Sequence, residues 1–377
     1  MIWIGIAAGI LALIGAALVL VAGVAVWRFH RVLAAPVLAR AEPVTLLKPL
    51  HGAEPRLTDN LASFLDQNWA APVQLVAGVQ RADDPAIAAV AALKQARPDA
   101  AITLVANAAQ HGANAKVGNL INMSVAIRHD LVVLSDSDMV APPDYLARVA
   151  AALAQPGVGA VTCVYAGRGD ARFWSGFGAA MLSYHFLPSV LLGVMLGAGD
   201  ACMGSTIAMR RQMLERIGGF AKFADILADD HAIGAAVRAT GQRVAIAPVV
   251  VTHGSMEMSL GELWRHELRW MATVRDLKPG GHLGATLLHP LPMALLAFAF
   301  APWALGGAAL AAVLGARLAT SLMVDRLVGR RTAPLWLLPA RDLMSFTVHV
   351  ASFFVRRVDW RGARLAMREA GRIEAQA

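Results

Sequence analysis

Cysteine is nearly absent from this chain: Cys163 and Cys202 are the only two in 377 residues. Neither sits in a metal-like spacing, which excludes a cysteine-based metal centre; both are expected as free, mostly buried thiols in a reducing compartment. Charge is missing from residues 1–27, MIWIGIAAGILALIGAALVLVAGVAVW. About 20 apolar residues span a bilayer. A cleavable signal peptide would start basic and carry a shorter apolar core. This segment has neither feature, so 1–27 is expected to be an uncleaved transmembrane anchor. No internal repeat of fixed period is present, and no low-complexity tract beyond alanine enrichment. No G-x-S-x-G motif offers a serine nucleophile.

What is abundant is apolar. Hydrophobic residues make up 57% of the chain, against roughly 45–50% in ordinary soluble proteins, and the mean hydropathy is +0.54. The composition suits a chain that is partly membrane and partly globular. The formal net charge is +8. A basic chain raises the question of nucleic acid, but its arginines flank apolar runs: Arg28, Arg31 and Arg40; Arg326, Arg330 and Arg331; Arg356, Arg357, Arg361 and Arg364. That placement argues against a nucleic-acid partner. It marks the cytoplasmic side of a membrane protein, so the C-terminal end of the anchor is expected in the cytoplasm.

Residues 41–282 read as an α/β domain in which short β-rich runs alternate with helical ones, the pattern of a parallel or mixed sheet. Strands are expected at 44–47, 73–79, 102–105, 131–134, 160–164 and 244–251. Helices are expected at 58–67, with Thr58 as cap, and at 85–96. Apolar character returns over 284–323, long enough for two helices broken near Pro302 to Gly307. The run 333–355 is interrupted by Pro339, Arg341 and Asp342, which suits an interfacial or re-entrant segment. The membrane part therefore covers 284–355, and 356–377 is a basic cytoplasmic tail.

Four acidic or basic constellations lie at places where a sheet binds ligands. In LVVLSDSDM, Asp136 and Asp138 follow a buried strand directly, and ligands of open α/β sheets bind beyond the carboxyl ends of the strands. Two carboxylates so close repel each other unless a hard cation such as Mg²⁺ or Mn²⁺ joins them, its shell completed by substrate phosphates. The alternative is a solvated turn that caps a helix over 142–149. In QLVAGVQRADDPA, Asp83 and Asp84 end a second strand at the same edge, where a carboxylate accepts hydrogen bonds from a base or ribose; Asp before Pro is equally a turn signal. In FADILADDHAIG, Asp229 or Asp230 starts a helix, either as a cap or as a general base. In SLGELWRHELRW, Ser259 and Glu262 form a capping box. His266, Arg269 and Trp270 then share one helix face, which suits a fork for phosphate beside an aromatic wall. An amphipathic helix lying on the membrane accounts for the same residues.

Taken in order, VTLLKPLHGAEP (44–55), DDPA (83–86), HGANAKVGNLINM (111–123), DSDM (136–139), GSTIAMRRQMLERIGGF (204–220), LADDHAIG (227–234) and HELRW (266–270) resemble the ceramide glucosyltransferase branch of inverting GT-A glycosyltransferases. Bacterial hopanoid-biosynthesis glycosyltransferases are the nearest relatives in that reading. The likeness runs over nearly the whole chain. It implies a Rossmann-like mixed sheet (α/β class) as a cytoplasmic GT-A domain, held by an N-terminal transmembrane anchor and C-terminal transmembrane or interfacial helices in a bacterial inner membrane. It implies that Asp84, or Asp83, contacts the nucleotide and that Asp136 and Asp138 hold Mg²⁺ or Mn²⁺ and the diphosphate. Asp230 is then the base, and Lys116 and Asn119 lie in a nucleotide-sugar loop. Arg269 and Trp270 end a Q/R-x-x-R-W motif whose first position is His266 here. The implied reaction moves one sugar from a UDP-sugar to a lipid hydroxyl, such as a hopanoid polyol or a ceramide-like lipid, by direct displacement with inversion. A processive polysaccharide synthase and a non-catalytic membrane scaffold that kept a nucleotide-binding domain are the rival readings.

Overall fold

The structure is a computed structural model that describes residues 1–37, 39–199, 201–355, 357–360, 363–367 and 373–375. Its centre is an eight-stranded mixed sheet. The strands are β1 (Val44–Pro49), β2 (Val73–Val79), β3 (Ala101–Ala106), β4 (Leu131–Leu134), β5 (Met139–Val140), β6 (Val158–Gly169), β7 (Ile207–Arg210) and β8 (Arg243–Ser255). Their order is β3-β2-β1-β4-β7-β6-β8-β5. β3, β2, β1 and β4 run parallel, and β7 turns antiparallel against β4. VTLLKP and LVVL are buried at every residue, as expected of strands covered on both faces. Helices α2 (Leu57–Leu65), α3 (Ala86–Ala96), α4 (Ala115–Ser124), α5 (Tyr145–Leu153), α8 (Arg211–Arg216) and α9 (Asp229–Ala239) complete this unit. The architecture is the mixed α/β sheet with flanking apolar helices that the sequence leads one to expect.

Apolar helices form the second layer. α1 (Ile2–Leu33), α12 (Leu291–Phe300) and α13 (Trp303–Val328) pack together through small residues. Ala8, Ala12, Ala16, Ala294 and Ala309 meet in one cluster, and a Cβ at Gly5 would lie 2.3 Å from the Ala301 backbone nitrogen. Such small-residue seams let helices approach closely in lipid. Among the described residues, three helices are long and apolar enough to cross a membrane, 2–33, 173–195 and 303–328; the bent pair 279–288 and 291–300 makes a fourth.

The segment 173–195 is a finding, because it lies inside the stretch read as the soluble domain. It consists of α6 (Phe173–Met181), a π-turn at Leu182–Phe186 and α7 (Leu187–Met195). The turn joins the two layers. Ser183 Oγ accepts from Gly167 N of β6 and lies 2.9 Å from Thr332 Oγ1, and Tyr184 donates to Asp325 of α13 at 2.7 Å. β6 is twelve residues long, well beyond the expected 160–164, and Val164 and Ala166 carry it into the Tyr184–Leu187 cluster.

Other departures have local causes. α2 begins at Leu57 behind Arg56 in the left-handed region, and no side chain caps it, so Thr58 is not its cap. α1 runs past residue 27 to Leu33. β5 and β7, two and four residues long, are too short for an alternation signal. α14 (Leu338–Ser352) buries Arg341 and Asp342 completely or nearly so. The charges that interrupt the apolar run point to partners inside the protein, not to water as on an interfacial helix. The expected break at 302–307 falls between Phe300 and Trp303. Of the basic tail, Arg356 and Arg361 lie outside the described residues; its described backbone forms a small antiparallel sheet of β9 (Arg357–Trp360), β10 (Ala363–Met367) and β11 (Ile373–Ala375).

Candidate active site and its cavity

A cavity of about 1060 Å³ opens at the carboxyl ends of β1 and β4 and continues down between the apolar helices. Its volume is at the upper end of the ~300–1,000 Å³ usual for small-molecule sites. Its upper part holds Lys116, Asn119, Asp136, Asp138, Asp229 and Asp230, with His266, Arg269 and Trp270 of α10 (Leu260–Leu277) across from them.

The loop after β4 is held rigidly. Lys48, fully buried on β1, donates to Ser135 Oγ and to the Asp136 carbonyl, each at 2.9 Å, and its Nζ sits 3.2 Å from the Phe64 ring centroid. Burial lowers its pKa well below the ordinary lysine value, against the pull of Asp136 and Asp138. Asn60 donates to the Ser137 carbonyl at 3.3 Å, and Gly254 N donates to the Asp138 carbonyl at 2.8 Å. Neither Asp136 nor Asp138 caps α5. The helix start is at Asp144, so the helix-cap alternative falls.

Lys116 is brought in by a second pair of loops. Asn114 caps α4 by accepting from Val117 N at 3.1 Å and donates to the Ile226 carbonyl at 2.7 Å. Asp225 Oδ1 accepts from Ala113 N at 2.8 Å. Loops 111–116 and 224–230 are thereby zipped together. Lys116 Nζ then lies 2.6 Å from Asp136 and 3.4 Å from Asp229. Burial opposes its charge, but the two carboxylates outweigh burial and raise its pKa. It is therefore an engaged cation, not a solvated surface lysine.

Asp230 stands in the first turn of α9. Its Oδ2 accepts from Gly204 N at 3.0 Å and its Oδ1 from His231 N at 2.7 Å. Burial and the neighbouring Asp229 push it up to about 6, with Lys116 pulling the other way. The helix N-cap is Ala228, so neither aspartate fills that role. Gly204 is confined between the two acidic sites: Asp136 N donates to its carbonyl at 3.2 Å, and a Cβ there would lie 2.4 Å from Asp136 Oδ2.

α10 begins at Ser259, whose side chain accepts from Glu262 N, while Glu262 accepts from Met258 N. On its inner face His266 packs edge-on to Trp270, ring centroids 4.2 Å apart. His266 Nδ1 lies 2.5 Å from Glu257 Oε1. Burial lowers the His266 pKa despite that carboxylate; burial works to raise Glu257, but the bond to His266 leaves it lowered. The next residue, Glu267, forms a two-pronged buried pair with Arg341 of α14 at 2.9 and 2.6 Å. That pair locks α10 onto the membrane layer.

Two residues carried the acidic signal of DDPA, and the structure separates them. Asp83 is exposed and both its oxygens accept from Arg81. This surface ion pair engages the Asp83 carboxylate outside the cavity. Asp84 is buried; its Oδ1 accepts from Gly52 N and Ala86 N, both at 2.9 Å, and its Oδ2 lies 3.7 Å from His51 on the cavity wall. It shapes the rim without lining the cavity. Asn119 donates to the Gly78 carbonyl at 2.7 Å, and its buried Oδ1 has no hydrogen-bond partner.

His253, Glu257, Lys48 and Gly204 were not singled out in the sequence. His253 Nε2 lies 3.3 Å from Asp138 Oδ2. It sits in an apolar strand run, where a lone histidine reads as core, and only the β5–β8 pairing of Met139 with His253 brings it to Asp138. Asp138 Oδ1 is buried and has no hydrogen-bond partner. Burial raises the Asp138 pKa, His253 opposing. Both cysteines are free and buried, their thiols pushed up to about 12 by burial.

Two curated relatives from Caenorhabditis elegans are similar to this chain. Ceramide glucosyltransferase 1 is 24% identical over 229 residues, 60% of this chain and 49% of its own. Ceramide glucosyltransferase 3 is 24% identical over 234 residues, 60% and 50%. The chain thus spans about half the length of the curated relatives it matches. Among solved structures, a mannosyltransferase from Pyrobaculum calidifontis in complex with GDP-Man and Mn²⁺ is 23% identical, with 91% of this chain and 99% of that one covered and a TM-score of 0.48. The sequence pattern of glycosyl transferase family 21 matches residues 7–373, and the chain belongs to that family.

Proposed function

We propose that this protein transfers one sugar from a UDP-sugar, UDP-N-acetylglucosamine or UDP-glucose, to the hydroxyl of a membrane lipid, with inversion at the sugar. The observation that carries this reading is one continuous cavity whose upper end is lined by carboxylates and whose lower end lies between apolar helices. The family and the ceramide glucosyltransferase likeness support the same reaction class. The lipid is of the hopanoid-polyol or ceramide-like kind.

The donor end fits a divalent cation. Five carboxylates, Glu54, Asp136, Asp138, Asp229 and Asp230, line the cavity, and an Asp138 oxygen is buried without a hydrogen-bond partner. Mg²⁺ or Mn²⁺ held by Asp136 and Asp138 would neutralise the diphosphate of the leaving nucleotide. His253 beside Asp138 would fix the carboxylate's orientation. Among the described residues no three His, Cys, Asp or Glu side chains converge as a metal site by themselves. Two carboxylates plus substrate phosphates are the usual way such a shell is completed.

The remaining roles fall to the chain's own groups. Asp230, fixed by two backbone N–H groups and raised to about 6, takes the proton of the acceptor hydroxyl as that oxygen attacks the anomeric carbon. Lone pairs remain on both its oxygens for this. Arg269 contacts the phosphates and Trp270 walls the sugar. Asn119 Oδ1 offers an acceptor to the donor. The basic ends of α1 and α13 suit a catalytic unit on the cytoplasmic face of a bacterial inner membrane.

The test is mass spectrometry of products from purified protein in detergent with Mn²⁺, a panel of UDP-sugars and bacterial polar lipids. One hexose- or N-acetylhexosamine-sized addition to a lipid, lost in Asp230→Asn, is expected. A ladder of additions points instead to a polysaccharide synthase, and absence of UDP binding rejects the enzyme reading.

A further inference from the structure

Tyr165 has no part in the roles assigned above, yet it lines the cavity. It stands on β6, opposite Val251 of β8. Two contacts fix its ring. Phe186, the last residue of the π-turn, packs against it with centroids 4.7 Å apart, and His253 stacks on it at 5.8 Å. His253 in turn meets Trp270 edge-on at 6.0 Å and lies 3.3 Å from Asp138. Trp270, His253, Tyr165 and Phe186 thus form a chain of rings along one wall, from Asp138 towards the apolar helices. Beyond it the cavity continues as an arm between α7, α11 (Pro279–Ala285), α13 and α14, where His185, His282, His289 and His349 line it.

The hydrogen-bond frame of the site brings Asp230 to the same place. Ser205 Oγ donates to the Cys163 carbonyl at 2.7 Å, two residues before Tyr165. Next to it, Gly204 N donates to Asp230 and the Gly204 carbonyl accepts from Asp136 N. β6, Asp230 and Asp136 therefore meet around one short loop. Burial, and then Asp230, Asp138 and Asp136 in that order, raise the Tyr165 pKa, so the phenol keeps its proton. Among the described residues none is hydrogen-bonded to its hydroxyl. Tyrosine hydroxyls taken out of water usually find a partner, and one that opens on a cavity can find it in a ligand. A cation at this point would pair with the carboxylates, as Lys116 does. The phenol stays available as a neutral donor.

We infer that Tyr165 is a donor-sugar contact: its O–H donates to a hydroxyl of the transferred sugar that glucose and N-acetylglucosamine share, at C3, C4 or C6. The inference rests on the function proposed above and adds a residue that selects the sugar. In a direct displacement the sugar lies between the base and the leaving diphosphate. Tyr165 is placed for that position, with Asp230 on one side and Asp136 and Asp138 on the other. The diphosphate is the poorer match for its hydroxyl, because the His253 ring stands between Tyr165 and Asp138.

The experiment is calorimetric titration of the purified full-length protein, with Mn²⁺ and no acceptor, by UDP, UDP-glucose and UDP-N-acetylglucosamine. The 3-, 4- and 6-deoxy forms of the tighter-binding donor follow. Tyr165→Phe keeps the ring and removes a hydroxyl that no described residue uses, so its melting temperature should match the wild type. The variant is expected to bind UDP unchanged and the UDP-sugar about fivefold more weakly, the size of one net hydrogen bond. One deoxy donor should bind the wild type about fivefold more weakly than its parent and bind wild type and variant equally. The other two should keep the fivefold difference between the proteins. A variant that binds the UDP-sugar as the wild type does overturns the inference. So does equal weakening of UDP and UDP-sugar, or a full fivefold difference with all three deoxy donors. If the variant unfolds, the wild type carries the test: three deoxy donors bound as tightly as their parent overturn the inference. A wild type that binds neither UDP nor a UDP-sugar overturns the functional reading first, and this inference with it.

Discussion

The two ends of one cavity handle charge in opposite ways. At the upper end five carboxylates, Glu54, Asp136, Asp138, Asp229 and Asp230, line the cavity; Lys116 pairs with Asp136 and Asp229, and the site sits at loop ends where solvent and a ligand can supply the rest. Among the apolar helices below, two buried arginines are matched by carboxylates: Arg317 by Asp342 and Arg341 by Glu267. Desolvation makes an unmatched charge far more costly between helices than at a sheet edge. The carboxylates are therefore concentrated where a cation and a diphosphate could enter, and imidazoles line the arm between the helices.

Substitutions can break this contrast, beginning with the largest effect. Asp230→Asn is expected to cut sugar transfer by about 10²–10⁴, the usual contribution of a positioned base, with UDP affinity kept; transfer rate against calorimetric affinity checks it. Breaking the buried pair by Glu267→Gln or Arg341→Met is expected to cost about 3–5 kcal/mol by leaving one partner exposed to no opposite charge. Thermal unfolding measures this, and the double variant E267L/R341M should recover most of it. Gly204→Ala is expected to lower activity about 10²-fold by pushing the Asp136 carboxylate off its position, since misplacement of about 1 Å costs that much; the melting temperature should barely move, because only a side-chain end must yield.

The pH profile sharpens the same contrast. Asp230 must be ionised to accept a proton, and its pKa is raised to about 6. Activity is therefore full above that value and falls as pH drops through it, about tenfold per unit below. Ser259→Ala, at the exposed start of α10, should cost only about 1 kcal/mol.

Much of the scaffold was legible because its signals are local. Buried runs such as LVVL, the Ser259–Glu262 box and the charge-free stretch 1–27 each depend on neighbours in sequence. What stayed hidden depends on distant partners. Lys48 meets Ser135 across 87 positions, and Glu267 meets Arg341 across 74. His253 becomes a neighbour of Asp138 only when β5 pairs with β8. Asp83 and Asp84 are adjacent in sequence, yet one faces water and the other binds two backbone amides. The polar residues in 333–355 suggested an interfacial or re-entrant segment; the inward pairing of Arg341 and Asp342 is visible only once α10 and α13 are packed beside α14. Helix 173–195 was masked by lying between two sheet strands of similar apolar character.

The measurement that tests the division of the cavity most directly is calorimetric titration of the full-length protein with UDP, with and without Mn²⁺. UDP binding that needs Mn²⁺, is lost in Asp138→Asn and is unchanged in His349→Leu is the expected result. Binding that ignores Mn²⁺ and Asp138, or that falls equally in His349→Leu, would contradict it.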